Sequence, residues 1–250
     1  MNPPSLNART QRVLIWCAPV MLVIWVIGFV FFARFIPVPS PNQTALQTAE
    51  MYAHRHTGIR IGLVLTGLGT VLLAPFLVVV SVQMQRIEGL SSPLAWLQLT
   101  MVPLVIVEFI FPVFFMQAAA FRTDRSPEVT QALNDVAWLL FVGVVSTAIV
   151  EWLSIGTCIL QDQRSEPIFP RWFGYQSLFV ALSFFSGTVV VFFKTGPLAW
   201  GGAIAFYFPI AAFAAWLAAA VPLLLRAVDA QDREDATGHE RVSVNVGSAG

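Results

Sequence analysis

Two glutamates in the middle of apolar stretches are the residues of this chain best placed to do chemistry. Glu108 lies near the midpoint of LAWLQLTMVPLVIVEFIFPVFFMQAAAF, residues 94–121, as the only formal charge there. Glu151 lies in a second apolar run at 136–160. A charged side chain at the centre of a bilayer costs roughly 2.5–3.5 kcal/mol on insertion scales unless it is neutralised, hydrogen-bonded or turned toward a protein-lined interior. Two carboxyls at comparable depth could share a proton, hold a cation, or divide into an acid and a base. The competing reading is structural: each acid, protonated, bridges a helix contact, as polar residues in membranes commonly do.

The two acids sit in different local sequence. Pro103 and Pro112 flank Glu108, and Pro112 removes the N–H that would otherwise satisfy the Glu108 carbonyl. Around Glu151, the residues Gly143, Thr147, Ser154 and Cys158 recur at intervals of three or four, so small and polar side chains share one face of an expected helix. Tyr207 and Pro209, near the middle of a later run, are a weaker signal of the same kind. The expected interior pocket therefore comprises Glu108, Thr147, Glu151, Ser154 and Tyr207, with Glu108 and Glu151 as the catalytic pair if the protein is an enzyme.

The elements that must position these residues follow from composition. Of the 250 residues, 57% are hydrophobic and only 11% charged, against roughly 25% charged in an ordinary soluble domain. Mean hydropathy is +0.73. Apolar runs long enough to cross a hydrocarbon core of about 30 Å fall at 13–35, 59–82, 94–121, 136–160, 172–193 and 198–225. The expectation is an all-α polytopic membrane protein, a compact bundle of six transmembrane helices. Residues 1–12 form a short basic segment, and 226–250 form a polar tail expected to lose order after any helical extension. The first run reads as a retained span because it exceeds the usual signal-peptide core and Ala33-Arg34-Phe35 is a poor cleavage site.

Between the runs, Pro37, Pro39 and Pro41 call for an extended exit, after which Ser40 or Asn42 would cap a short interfacial helix at about 42–56. Residues 122–134 read as a solvated loop, with Asn134 or Asp135 opening the fourth span. Gly58, Gly62, Thr66, Thr70 and Ala74 recur every four residues and make a seam for close helix packing, within the chain or in a dimer. The pattern Gln-x-Gln-Arg-x-Glu occurs at 83–88 and again at 161–166. It is compatible with a decayed duplication or a shared docking surface, and chance is the simplest account.

Several chemistries are excluded at this level. No histidine falls in an expected span, which removes histidine-cluster oxygenases and bis-histidine haem, and His54 and His56, as alternate residues, do not face one another on a helix. No in-span lysine offers a buried Schiff base, and no nucleotide motif is present. Cys17 and Cys158 make neither a disulfide framework nor a zinc knuckle. Fourteen basic residues balance fourteen acidic ones, so net charge points to no nucleic-acid partner. No cofactor and no metal are expected. The expected partners are membrane lipids, a lipophilic or cationic small molecule, and a membrane-protein partner or a second copy. An excess of arginine on the face shared by both ends, including Arg9, Arg12, Arg86, Arg164, Arg171 and Arg226, favours cytoplasmic termini in a bacterial cytoplasmic membrane. The leading functional expectation is a non-enzymatic carrier, subunit or binding module with an acidic intramembrane pocket. The alternatives are an acid-base isomerase or cyclase acting on a lipid-soluble substrate, and a structural subunit.

Overall fold

In lipid every backbone polar group must find its partner inside the protein, so apolar runs of this length fold as helices. The computed structural model describes the backbone of residues 6–89 and 91–247 and the side chains of 7–89 and 91–237, and among the described residues there is no strand. Helix α1, Leu6–Trp25, continues as a π-helical segment, Val26–Phe32. Helices α2, Ala45–Thr70, and α3, Leu73–Glu88, form one bent stretch, and α4 is Pro93–Phe121. Helices α5, Pro127–Gly143, and α6, Ser146–Leu160, follow one another across a short break. Helix α7, Arg171–Phe184, runs on as 3₁₀ turns at Phe185–Phe192, and a π-helical segment, Ala203–Tyr207, opens into α8, Phe208–Gly247. Joined in this way they make six stretches long and apolar enough to cross a membrane, and the protein is a six-helix bundle of the multi-pass membrane type. Only 28% to 50% of the residues in the most apolar part of each stretch are buried, which leaves side chains such as Phe31, Leu68, Phe114 and Phe192 to face lipid.

Several boundaries differ from the sequence reading, each for a local reason. Residues 42–56 are not a separate interfacial helix. Residues 45–56 open α2, whose start is set by the reciprocal capping box of Thr44 and Gln47, and the helix runs on through Gly58 and Gly62 to Thr70. Residues 122–134 are not all loop, because Pro127 at the first helical position starts α5 and places Asp135 inside that helix rather than at its cap. The fourth stretch is not continuous, as described below. The sixth begins at 203 because residues 197–202 turn back on themselves, with Ile204 and Ala205 donating to the Pro197 carbonyl. The chain beyond 225 remains helical in α8 through Gly247.

The small-residue seam packs within the chain, against the π-helical part of the first stretch. A Cβ on Gly62 would collide with the Gly28 carbonyl and the Ala33 N–H, and one on Gly58 would come within 2.7 Å of the Phe32 carbonyl. Thr66 and Thr70 turn their hydroxyls back to the carbonyls of Gly62 and Thr66, both at 2.8 Å. Thr70 also accepts from Trp25 Nε1 at 3.2 Å. Small side chains allow this approach where no hydrophobic drive between helices exists.

The repeated Gln-x-Gln-Arg-x-Glu pattern takes two unrelated roles. The first copy lies in α3, where Gln83 is fully buried and donates to Gln11 and Gln231 while Arg86 pairs with Glu234 at 2.8 Å. Its Glu88 caps α4 by accepting from the N–H groups of Leu94 and Ala95. The second copy follows the end of α6 in a loop, where Arg164 pairs with Asp162. Shared letters therefore do not make shared surfaces.

Candidate functional site

The irregular points of five stretches converge. The first changes from α to π geometry at Trp25, the second breaks after Thr70, the fourth breaks at Val144 and Val145, the fifth tightens after Phe184, and the sixth opens at Ala203–Tyr207. Trp25, Thr70, Val144, Val145, Phe184 and Phe206 line one cavity of about 170 Å³. Non-helical backbone at membrane depth is tolerated only where protein buries it or where it borders a cavity, so the breaks and the cavity account for each other. The cavity also marks the seam between two apolar cores, with Met21, Leu73 and Trp152 belonging to one and Val142 and Phe206 to the other.

Among the described residues lining this cavity, Glu108 alone is charged. Its position is set by the break in the fourth stretch. Gly143, Val144 and Val145 form a poor helical run, because the two adjacent valines lose χ1 freedom in a helix. The backbone there also approaches Gly187 so closely that a Cβ on Gly187 would strike the Val142 carbonyl. Helix α6 then starts anew behind Val145, whose side chain cannot cap it. Its first amides would be orphaned in lipid. Glu108 replaces the missing cap from α4: its Oε1 accepts from the Thr147 N–H at 3.2 Å and from the Thr147 hydroxyl. A carboxylate is favoured there by the positive end of the helix dipole.

Glu151 is placed differently. It is fully buried, and its Oε1 accepts from Gln98 Nε2 of α4 at 2.5 Å. Its Oε2 and the Oε1 of Gln98 are both buried without a partner. The structure gives Glu108 and Glu151 no hydrogen bond to each other, and Glu151 does not line the cavity.

The five residues expected in one pocket therefore separate. Glu108 and Thr147 meet at the cavity wall, while Glu151 is sequestered with Gln98. Ser154 returns its hydroxyl to the Val150 carbonyl of its own helix at 2.8 Å. Tyr207 is 40% exposed and accepts from the Val38 N–H at 3.4 Å. Because the two acids have different partners, the stability losses of Glu108→Gln and Glu151→Gln should add within about 0.5 kcal/mol in the double variant. Thermal denaturation of the four proteins in detergent measures this, and a larger coupling would show one shared network.

The sequence reading missed the aromatic wall and Gln98. Trp25 meets Phe109 edge-on at 5.3 Å and stacks on Phe141 at 6.0 Å, and Trp152 meets Phe184 and Phe213 edge-on at 5.6 and 5.5 Å. The Trp152 indole N–H has no partner. An aromatic residue in a membrane helix carries no signal of which way it faces, whereas Gln98, an amide about three turns before Glu108, was a legible cue.

A carboxyl whose titration has a clear sign lies outside the spans, just past α6. Burial opposes the charge of Asp162, but the Arg164 guanidinium and the N–H groups of Ile168 and Arg164 together hold its carboxyl below the usual range. A group depressed in the folded state stabilises above its unfolded value of about 3.9 and loses that contribution as pH falls through the folded value. The stability advantage of the wild type over Asp162→Asn should be constant above about pH 5 and shrink below about pH 4. Melting curves across that range check it, and a pH-independent difference would contradict it.

Compared with known proteins, the chain matches no family model, no curated sequence and no solved structure.

Proposed function

We propose that this protein is a non-enzymatic membrane carrier or binding module that holds a small lipophilic cation in the cavity beside Glu108. The observation that carries the reading is the cavity itself: irregular points from five stretches meet around it, with aromatic side chains on its walls and the Glu108 carboxyl at one side. A space of about 170 Å³ suits a ligand of roughly one aromatic ring, since an apolar cavity of about 150 Å³ accepts benzene. Aromatic faces attract a cation through the ring quadrupole, and a carboxylate adds the opposite charge. The acid-base enzyme reading has less support, because it needs a second proton-transfer group at the cavity and Glu151 is engaged with Gln98. On this reading the protein resides in a bacterial cytoplasmic membrane with both ends in the cytoplasm, as the arginine distribution favours.

The test is binding of a benzylic tertiary amine and its neutral carbon isostere to the purified protein, followed through tryptophan fluorescence. The amine should bind about tenfold or more tightly than the isostere, and Glu108→Gln should remove most of that preference. Equal affinity for the two, or an unchanged preference in Glu108→Gln, would overturn the reading.

A further inference from the structure

A second concavity lies on the membrane face opposite the chain ends, between the proline loop after the first stretch and the opening turns of α2. Its volume is about 520 Å³, and its lining includes Arg34, Ser40, Glu50, His54 and Arg55. Three features set it apart from an ordinary surface groove.

The first is backbone strain at Arg34. Ala33 donates to the Gly28 carbonyl and Phe35 to the Phe29 carbonyl, so the π-helical segment ends in a widened left-handed stop with Arg34 at the turning position, at φ +53°. Glycine is the usual occupant of such a position because side-chain-bearing residues there are strained. An arginine in its place puts a basic residue on the lining of the concavity. Backbone strain of this kind, once observed, is a pointer to function.

The second feature is pre-organisation. The wall formed by residues 38–43 is held from three sides: Trp200 Nε1 donates to the Pro39 carbonyl at 2.9 Å, the Val38 N–H donates to the Tyr207 hydroxyl at 3.4 Å, and Gln131 donates to the Gln43 carbonyl at 3.0 Å. The opposite wall is the capped start of α2. A site built on held backbone loses less entropy on binding.

The third is charge. Arg34 and Arg55 stand on the lining together, linked by a bond from the Arg55 guanidinium to the Arg34 carbonyl at 3.4 Å, with His54 beside them. Glu50 is the one acidic group on this lining among the described residues, so the arginines outnumber it. Arginine guanidiniums match the oxygens of a phosphate with several charge-assisted hydrogen bonds.

We infer that this concavity is a binding site for a phosphate group, with Arg34 and Arg55 as its principal ligands. It stands apart from the Glu108 cavity, and neither depends on the other. The phosphate has two sources, the headgroup of a membrane lipid or a free phosphate ester, and the experiment separates them. The purified full-length protein is titrated with short-chain phosphatidic acid, with short-chain phosphatidylcholine as the headgroup-blocked control, and with inorganic phosphate, reading bound lipid by native mass spectrometry and melting temperature in parallel. Binding of phosphatidic acid without an effect of inorganic phosphate identifies a lipid site. Competition by inorganic phosphate identifies a free-anion site. Arg55→Gln should weaken binding about tenfold, and Arg122→Gln, at a residue outside the lining, should leave it unchanged.

Arg34→Gly makes the decisive variant, because it relieves the strained backbone while removing the guanidinium. It should melt at or above the wild-type temperature and still bind about tenfold more weakly. An arginine with a purely structural role would not produce that opposition of stability and affinity. The inference is overturned if neither phosphatidic acid nor phosphate binds, if phosphatidylcholine binds as well as phosphatidic acid, or if Arg34→Gly binds as the wild type does.

Discussion

Replacing Gly62 by alanine should destabilise the bundle by about 3 kcal/mol, the upper end of what overpacking costs, and leucine there should prevent assembly. The new methyl has nowhere to go. It would overlap the Gly28 carbonyl and the Ala33 backbone, and backbone cannot rotate aside as a side chain can. Relief would require the first two stretches to separate, breaking the Trp25 to Thr70 bond and opening the cavity that both residues line. Gly67 on the same helix is the internal control. A Cβ there would meet only Val113, at an ordinary 3.7 Å, so Gly67→Ala should be neutral or stabilising by up to about 1 kcal/mol through helix propensity. Melting temperatures of the two alanine variants in one detergent decide the matter. Equal values would mean that the first two stretches do not cross as closely as described.

Glu108→Ala should cost about 2–3 kcal/mol, because it withdraws the acceptor from the first turn of α6, for which Val145 offers no side-chain cap. Glu108→Gln keeps an oxygen in place and should lose only about 1 kcal/mol, while still removing most of the preference for cationic ligands. The two substitutions thus separate the structural duty of the residue from its proposed binding duty. Amide hydrogen exchange gives the local readout: protection at Thr147 should fall sharply in the alanine variant and modestly in the glutamine variant. Unchanged protection in Glu108→Ala would show that α6 is capped by another group.

These two positions also divide what could be read in advance from what could not. Gly62 belonged to a four-residue repeat of small residues, and that spacing alone marked a close helix contact. Which helix it met was not legible, since small residues allow approach by any neighbour; the first stretch presents Gly28 there through its π-helical turn. Glu108 was conspicuous as a charge in an apolar run. That it caps another helix depended on the break at Val144 and Val145, which arises partly from packing against Gly187, more than forty residues later.

Composition and the lengths of the apolar runs determined the class of the protein and its six crossings, because burying charge in hydrocarbon and leaving backbone unpaired there are both so costly that few architectures remain. The same physics made Glu108 and Glu151 stand out as residues that must have partners. Tertiary structure alone decided who those partners are. Period and spacing place a side chain on a helix face but say nothing about how helices tilt, bend and break against one another. Two acids at matching depth therefore read as a pair, yet the fold gives one to the start of α6 at the cavity wall and the other to Gln98 in the packed interior.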